Sequence, residues 1–540
     1  AACGVSHLDL RHQQNPCRPA EMEAEAWRGA PSCLLLEPSF LYLFNTCEVW
    51  LGPNTDSKYL VDSLVVNPDG AAKAWRAALE RCSEFDVKKD RCQVKEILEC
   101  FAAQFLREPG QVVERCRVDV GNSLPWLHTV RSADMQQFAV AVNQLWASLY
   151  VTPTVEAADT KSNTLLPVPY PITVPGDRFG EQYYWDSYWA MQGLLASGKT
   201  EICSQSIFNL LHLLKIHGSV PNGTRKYYTS RSQPPLLSEM IRSLLSDSCV
   251  METRHLQLLA SAAPILEQEF VHWTTGLKSV TVEDGSGRSF TLSRYYADVN
   301  EQDVGPRPEA YKQDVELVTW ATGEGGLPKP HPLYREIRTA AESGWDFSSR
   351  WVRPHNVGKL LRRCGHEQTH EWRSSQEPTR VIPADLNAFI YRLASNLSKF
   401  FSILSEEEKS KRYETIAKER LDAITQVLWN EQLGCWCDLW MGDERDDKQQ
   451  IGPFNAHHNT RAYASNWIPM WCGCSTSAAQ TSKAIESLDQ SGLLQVGGVA
   501  TSLVESGEQW DFPNAWPPLQ HMLIEGLSQT NSKGRELGSR

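Results

Sequence analysis

From about Gln137 onward, apolar residues recur at three- and four-residue steps, and short loops rich in Gly, Pro, Arg, Trp and Asp separate the runs. That spacing puts the apolar side chains on one face of a helix. One clear run comprises Leu386, Phe389, Ile390, Leu393, Leu397, Phe400 and Leu404. Ser405 and Glu408 then have the spacing of a capping box, which predicts a further helix up to about Trp429. The pattern therefore predicts helices joined by polar loops.

A stop signal ends another predicted helix. Its apolar stripe consists of Ile207, Leu210, Leu211 and Leu214. His217-Gly218 follows the stripe, and Pro221 comes three residues later. Glycine readily adopts the left-handed conformation that closes a helix, and proline cannot continue one. We therefore predict that this helix ends near His217.

Strand signals are scarce. Val280, Val282, Phe290 and Leu292 alternate with polar residues around a turn at residues 284–287, which predicts one β-hairpin that we interpret as an insertion. Outside this hairpin the chain shows neither βαβ alternation nor a short repeat. Its helical pattern therefore predicts one mainly α domain of paired antiparallel helices over residues 56–540. Periodicity leaves open whether it is a barrel or a solenoid. Residues 1–55 are rich in cysteine and show no clear period, so we assign them no fold.

The charge pattern narrows the class of partner. The chain has 53 basic and 65 acidic residues, a formal charge of −12 and no long block of one sign, which argues against nucleic acid. No apolar run approaches the roughly 20 residues that span a bilayer. We therefore expect membrane attachment only through a segment that is absent from this chain.

The cysteines favour a secretory route over a metal site. There are fifteen, and pairs such as Cys435 with Cys437 and Cys472 with Cys474 are too close for zinc-ligand spacing. Asn222 and Asn396 each begin an N-glycosylation sequon. We therefore predict an extracellular or cell-surface glycoprotein that contains no metal.

Residues 175–188 carry the densest set of polar and aromatic groups, Pro-Gly-Asp-Arg-Phe-Gly-Glu-Gln-Tyr-Tyr-Trp-Asp-Ser-Tyr, just before an apolar helix. Carboxylates and guanidinium groups bind vicinal hydroxyls, while aromatic faces cover the C–H surface of a sugar ring. The alternative is a helix start with ordinary core aromatics.

A second stretch of this kind, Gln-Trp-Asp-Phe-Pro-Asn-Ala-Trp-Pro-Pro, occupies residues 509–518. Together the two stretches resemble both signatures of the α,α-trehalases, glycoside hydrolase family 37, and the resemblance extends from about Asp56 to Glu525. It includes His217-Gly218, Pro221-Asn222-Gly223, Arg231-Ser232-Gln233-Pro234-Pro235, Arg307-Pro308-Glu309 and Glu342-Ser343-Gly344-Trp345-Asp346-Phe347-Ser348-Ser349-Arg350. The resemblance implies an (α/α)6 toroid with a sugar pocket at one end of its inner helices. It also implies hydrolysis of trehalose to two glucose molecules with inversion, without cofactor or metal.

The resemblance implies that Asp346 is the general acid. The adjacent Trp345 and Phe347 offer a low-dielectric wall that would raise the pKa of this carboxyl, as an acid catalyst working near neutrality requires. Without the resemblance, an aspartate beside a tryptophan is more typical of a helix cap or a turn.

The resemblance also implies a set of substrate-binding residues with side chains suited to hydroxyl recognition. They are Arg178, Trp185, Asp186, Asn222, Arg231, Ser232, Gln233, Arg307, Pro308, Glu309 and Gly344. The alternative for any single arginine in this set is a surface salt bridge. Because a pocket residue should not carry a glycan, the pocket role is preferred to the sequon at Asn222.

Two features depart from the family pattern. Asp177 replaces the second glycine of the first signature, and its bulk and charge beside Arg178 predict a mild loss of affinity. Nothing after Glu525 resembles the Gly-rich loop that supplies the family's general base, so we expect an incomplete toroid and poor or no hydrolysis by the chain as given. Glu505 and Glu508 are the nearest carboxylates that could replace the base.

Three alternatives to an active trehalase follow from these observations. One is a truncated or non-catalytic trehalase homologue. The others are a glucoamylase-like hydrolase and a disaccharide phosphorylase, both of which the two signatures disfavour.

Overall fold

The computed structural model describes residues 33–51, 56–118, 124, 126–176, 179–246, 253–299, 304–325, 328–363, 369–442, 450–451, 456–530 and 532–539. Helices dominate its regular structure, which confirms the mainly α prediction. The α-helices are α1 (Pro38–Thr46), α2 (Ser57–Val61), α3 (Pro68–Cys82), α4 (Arg91–Phe105), α5 (Ala133–Gln144), α6 (Trp146–Leu149), α7 (Asp186–Ala196), α8 (Thr200–His217), α9 (Leu237–Ser246), α10 (Thr253–Thr274), α11 (Tyr311–Thr322), α12 (Pro332–Glu342), α13 (Pro354–Arg363), α14 (Thr369–Ser374), α15 (Ala384–Ile403), α16 (Glu407–Ala423), α17 (Ile468–Trp471), α18 (Ala478–Gln490), α19 (Pro517–Ser528) and α20 (Ser532–Ser539).

The strands are short and form small sheets between the helices. They are β1 (Leu64–Val65), β2 (Leu106–Arg107), β3 (Val113–Arg115), β4 (Tyr150–Pro153), β5 (Ile172–Thr173), β6 (Ser279–Glu283), β7 (Ser289–Ser293), β8 (Val381–Ile382), β9 (Trp429–Asn430), β10 (Cys435–Trp436), β11 (Leu439–Met441), β12 (Gln450–Ile451), β13 (Ala456–His458), β14 (Leu494–Gln495) and β15 (Gly498–Val499). The sheet orders are β3-β4-β5, β13-β11-β8 and β12-β6-β7, with two-stranded ladders β1-β2, β9-β10 and β14-β15.

Consecutive helices pack as neighbours in two layers. In the first layer α7 contacts α9, α9 contacts α15, α15 contacts α17, and α17 contacts α19. The second layer covers it, with α8 on α7, α10 on α9, α16 on α15 and α20 on α19. The ring of Tyr188 in α7 lies 5.9 Å from the ring of His521 in α19, so the first and last helices of the first layer also meet.

Residues 33–51 pack into the same hydrophobic core as α3 and α4. Phe40 and Phe44 stack with their ring centroids 4.2 Å apart, and Trp75 and Phe101 contact Phe40 at 5.0 and 6.1 Å. The apolar face of α1 is thereby buried against the next two long helices. Residues 1–32 lie outside the described residues, and the domain boundary near residue 55 stays a prediction.

Two predicted helix boundaries have different outcomes. α8 ends at His217, and Gly218 takes φ 77°, as the stop signal predicted. The capping box at Ser405 is wrong. Ser405 has φ 61°, and the N–H of the next residue, Glu406, donates to the Phe401 carbonyl at 2.8 Å. Ser405 therefore closes α15 in a Schellman-type turn, and α16 begins only at Glu407.

The predicted hairpin is present as β6 and β7. Val280 pairs with Leu292 and Val282 pairs with Phe290, and Asp284 in the turn accepts hydrogen bonds from the N–H groups of Ser286 and Arg288. The parallel strand β12 extends the hairpin to three strands, an addition that local alternation did not predict.

The second sequon, at Asn396, is buried in the folded protein. Asn396 lies in α15 with no exposed surface, and its Nδ2 donates to Glu239 Oε1 at 2.6 Å and to Ser238 Oγ at 3.1 Å. The folded protein therefore has no room for a glycan at Asn396.

Among the described helices, none combines the length and apolarity needed to cross a bilayer.

Candidate active site

Loops at one end of the helices enclose a cavity of about 490 Å³, which lies within the range typical of small-molecule pockets. The loops precede α7, join α8 to α9, precede α11, follow α12 and precede α19. The residues that line the cavity are Lys58, Pro175, Phe179, Tyr183, Trp185, Asp186, Asn222, Tyr228, Arg231, Gln233, Arg307, Glu309, Ala310, Gly344, Asp346, Phe347, Arg373, Gln509, Trp510 and Trp516.

Most of the site residues expected from the sequence meet at this cavity. Those that line it are Trp185, Asp186, Asn222, Arg231, Gln233, Arg307, Glu309, Gly344 and Asp346. Arg178 and Asp177 lie outside the described residues.

Ser232 and Pro308 do not line the cavity. The Ser232 hydroxyl donates to the Val220 carbonyl at 2.6 Å, and its backbone N–H donates to Glu342 at 3.1 Å, so both groups face the protein interior. Pro308 begins a short 3₁₀ turn after Arg307. Both residues shape their loops instead of facing the cavity.

Arg231 and Glu309 form a buried pair with unused hydrogen-bonding capacity. Arg231 Nη2 donates to Glu309 Oε1 at 2.8 Å, and Arg231 Nε donates to Asn222 Oδ1 at 2.7 Å. Arg231 Nη1 and Glu309 Oε2 are also buried, but neither has a partner within the described parts of the chain. An unsatisfied buried polar atom costs about 1–3 kcal/mol. This donor and acceptor therefore indicate a place for a polar ligand.

The surroundings of Glu309 keep it ionised. Burial alone would raise its pKa, but the guanidinium groups of Arg231 and Arg307 lower it below the ordinary value.

The sequon at Asn222 is blocked because this side chain is buried and engaged by Arg231.

Arg307 is oriented by Asp314 in α11. Its Nε and Nη2 donate to the two carboxylate oxygens of Asp314 at 2.9 and 2.7 Å. The guanidinium lies 5.5 Å from the centroid of the Phe347 ring. The surface salt bridge considered for these arginines is wrong here, because the Arg307 side chain is only 7 % exposed and that of Arg231 only 4 %.

Asp346 follows a tight backbone approach. Gly344 has φ 76°, and a Cβ there would lie 2.6 Å from Cζ2 of Trp185, so only glycine fits. Trp185 is held in turn, because its backbone N–H donates to Gln233 Oε1 at 3.0 Å. The first signature stretch thus positions the Asp346 loop through direct packing of Trp185 on Gly344.

The Asp346 carboxyl makes no hydrogen bond or ion pair in the described structure. Burial raises its pKa, and the charges of Arg307 and Arg231 only partly oppose the rise. The neighbouring Asp186 has its pKa raised to about 6 by burial, with its own backbone N–H lowering it and the charge of Asp346 adding to the rise. Asp346 therefore keeps its proton to a higher pH than an ordinary aspartate.

The apolar wall beside Asp346 differs from the expected one. Phe347 lines the cavity. Trp345 is buried and does not line it, but it stacks on the cavity residue Trp510, with ring centroids 5.2 Å apart. Trp510 in turn stacks on Trp516 at 4.5 Å. Both outer tryptophans belong to the second signature stretch, so that stretch was the signal that could have identified them.

Lys58 is a cavity residue that the sequence did not reveal. It comes from α2, and its buried Nζ contacts Asp62 Oδ2 at 2.7 Å and the Tyr227 hydroxyl at 3.0 Å, as well as Glu181. The same Glu181 carboxylate accepts a hydrogen bond from the Tyr183 hydroxyl at 2.6 Å. Through Glu181, the Lys58 ammonium group therefore helps to hold the Tyr183 ring in the cavity wall. Local patterns carry no signal for contacts over such sequence distances.

The carboxylate of Asp511, in the second signature stretch, has a structural role. Asp511 is buried and accepts hydrogen bonds from Ser348, Ser349, Ser502 and Ser506, which ties the loop after Asp346 to the second signature.

Neither candidate replacement base lines the cavity. Glu505 is exposed, whereas Glu508 is buried and bound by Arg373 through contacts of 3.1–3.2 Å.

Comparison with known proteins agrees with the signatures. The family described as Trehalase matches residues 54–540. The chain is 34% identical over 501 residues to a probable trehalase of Oryza sativa subsp. japonica, covering 90% of this chain and 82% of the relative. It is 34% identical over 440 residues to the trehalase of Homo sapiens, covering 81% and 68%. The neutral trehalase of Saccharomyces cerevisiae aligns in structure with a TM-score of 0.49 and 21% identity, covering 77% of this chain and 81% of that one.

The family match spans most of the chain and includes every described segment that lines the cavity. The chain therefore belongs to the trehalase family and has the (α/α)6 barrel fold that its signature stretches predicted.

Proposed function

We propose that this protein hydrolyses α,α-trehalose to two glucose molecules. The observation that carries the proposal is the cavity itself, in which Arg231 Nη1, Glu309 Oε2 and the Asp346 carboxyl are buried or half-buried beside aromatic walls and without protein partners in the described structure. Relatives that are named trehalase support the same substrate.

The unpaired atoms suit a neutral sugar. A hydroxyl group both donates and accepts hydrogen bonds, and Arg231 with Glu309 offers one free donor and one free acceptor within a single ion pair. Two adjacent hydroxyls of a glucose ring can satisfy both. Trp510 is stacked between Trp345 and Trp516, so the outer face of Trp516 is the one suited to cover the C–H surface of a ring.

Asp346 serves as the proton donor. It transfers its proton to the oxygen that bridges the two glucose units, and the bond from that oxygen to one anomeric carbon breaks as water attacks the opposite face. Burial raises the pKa of Asp346, so the donor holds its proton to a higher pH than an ordinary aspartate, while the arginines beside it stabilise the carboxylate that remains.

Inversion also needs a carboxylate that accepts a proton from the attacking water. Asp186 and Glu309 are the other carboxylates that line the cavity in the described structure, so D186N and E309Q enter the same assay. Azide restores turnover in a variant that lacks the base, because azide attacks without giving up a proton.

The experiment measures glucose release from trehalose in phosphate-free buffer, with maltose and sucrose as comparison substrates. We expect release from trehalose alone, and the first turnovers followed by NMR should give one α- and one β-glucose per trehalose. A strict requirement for phosphate would indicate a phosphorylase. The absence of any glucose release would contradict the proposed hydrolysis.

We further propose that the protein works outside the cell or at its surface. The support is its cysteine content of fifteen residues, which is high for a cytosolic enzyme. Glycans at Asn222 and Asn396 form no part of this proposal, since both side chains are buried. Detection of the protein in medium or by surface biotinylation tests it, and an exclusively cytosolic protein would contradict it.

A further inference from the structure

Arg373 reaches the cavity from α14, a helix that belongs to none of the matched signature stretches. Its guanidinium lies 4.3 Å from the centroid of the Phe347 ring, next in sequence to Asp346. α14 packs on α11, the helix whose Asp314 orients Arg307. A third arginine therefore joins Arg231 and Arg307 at the site, from a separate part of the chain.

Glu508 sets the orientation of Arg373. Arg373 Nε donates to both carboxylate oxygens of Glu508 at 3.1 and 3.2 Å, and Nη2 donates to Oε2 at 3.1 Å. The Glu508 side chain has no exposed surface, so it is a fixed anchor for a planar fork of donors. Nη1 of Arg373 makes no hydrogen bond or ion pair with any described residue and remains available.

Exposure places Arg373 at the edge of the cavity. Its side chain is 31 % exposed, against 4 % for Arg231 and 7 % for Arg307. A ligand that fills the inner cavity with one ring would reach Arg373 with a second ring. A single monosaccharide in the inner cavity would have no such contact.

We propose that Arg373 is a specificity-determining residue, whose Nη1 donates a hydrogen bond to the glucose unit nearest the cavity mouth and so favours a disaccharide over a monosaccharide. The inference rests on the proposed function for the identity of the disaccharide. Arg373 also opposes the rise in the pKa of Asp346 that burial causes, which is consistent with its place at the same site.

The test uses binding, so that it does not depend on turnover. Calorimetry with D346N protein gives the Kd for trehalose, and R373M is added to that background because methionine keeps an apolar contact with Phe347. Loss of one hydrogen bond to a charged donor predicts a roughly tenfold weaker Kd for trehalose. The affinity for glucose should change less than about twofold, since glucose occupies the inner cavity.

Arg363 provides the matched control. It lies in α13 and approaches Glu371 of α14 at 3.6 Å, but its side chain is 75 % exposed and it does not line the cavity. R363M should leave both affinities unchanged. R373K keeps the charge that faces the buried Glu508 but loses the fork, so it should weaken trehalose binding while lowering Tm less than R373M does. It decides the question if R373M fails to fold.

Equal trehalose affinities in R373K, R363M and the parent would overturn the role of Arg373. So would an equal loss for glucose and trehalose, because that result indicates a general disturbance of the pocket. If the wild type binds trehalose without releasing glucose, the proposed hydrolysis fails while the test of Arg373 remains valid. If the D346N parent does not bind trehalose at all, both proposals fail.

Discussion

Arg350 and Arg231 are both buried arginines, and the difference between their surroundings separates support from recognition. Arg350 has no exposed surface and makes four hydrogen bonds of 2.7–3.0 Å to Asp385 and Asp438. The rings of Trp345 and Trp351 lie 4.7 and 4.6 Å from its guanidinium. Arg231 has a comparable burial but leaves Nη1 unpaired in the described structure.

The two arrangements have different consequences for ligand binding. The Arg350 cluster is complete without a ligand, and it holds the segment that follows Asp346. The Arg231 cluster carries the cost of an unpaired donor and an unpaired acceptor until a ligand supplies both. Substitutions in the first cluster should therefore reduce stability, and those in the second should reduce binding.

The largest expected effect is on turnover. D346N removes the proton donor and keeps the shape of the side chain, so kcat should fall by about 10²- to 10⁴-fold. Trehalose binding and Tm should be largely unchanged, because Asp346 has no hydrogen-bond partner to lose in the described structure. Glucose-release kinetics check this, and a variant that keeps most of the parent kcat would remove Asp346 from the acid role.

R350M should break the complete cluster. It leaves Asp385 and Asp438 buried without their counter-charge, and breaking a buried pair in this way costs about 3–5 kcal/mol. Urea unfolding measures the loss, with R362M as the exposed control. If R350M unfolds at the same urea concentration as R362M, the supporting role assigned to this cluster is wrong.

R231A and R307A should weaken the incomplete cluster. Loss of a hydrogen bond to a charged group predicts a fall in kcat/KM of roughly 10- to 100-fold. R362A should have little effect, since that arginine is exposed and outside the cavity. Comparable kcat/KM values for all three variants would exclude Arg231 and Arg307 from substrate binding.

The smallest effect concerns pH. Asp346 acts when protonated, so activity should fall as pH rises through its pKa. Asp186, Arg231, Arg307, Glu309 and Arg373 are the charged groups that influence it. Removing the cation in R373M raises that pKa, so the basic limb of kcat/KM should move to higher pH. R363M should show no movement. A shift to lower pH would contradict the assigned charge effect.

Features set by interactions between residues close in sequence were predictable, whereas features set by contacts between distant segments were not. The stripe of α15 and the end of α8 were predictable because apolar spacing and a C-terminal glycine are local signals. Ser405 was misassigned, since the same residue can close one helix or cap the next and only tertiary packing decides between them.

The candidate site divides in the same way. Asp346, Arg231 and Glu309 belong to family motifs, so the resemblance named them. Lys58 and Arg373 lie outside these motifs and reach the cavity through contacts with distant segments. No spacing rule predicts such contacts. The resemblance also named Ser232 for the pocket, although its side chain turns inward to the Val220 carbonyl.

We assign the recognition of trehalose to the unpaired atoms of the Arg231 cluster. The most direct measurement is a crystal structure of D346N protein with trehalose bound. We expect sugar hydroxyls within about 3.2 Å of Arg231 Nη1 and Glu309 Oε2, while the Arg350 cluster keeps its four hydrogen bonds and makes no contact with the sugar. Trehalose bound in the cavity with both atoms still unpaired, or bound at another place on the protein, would contradict the claim.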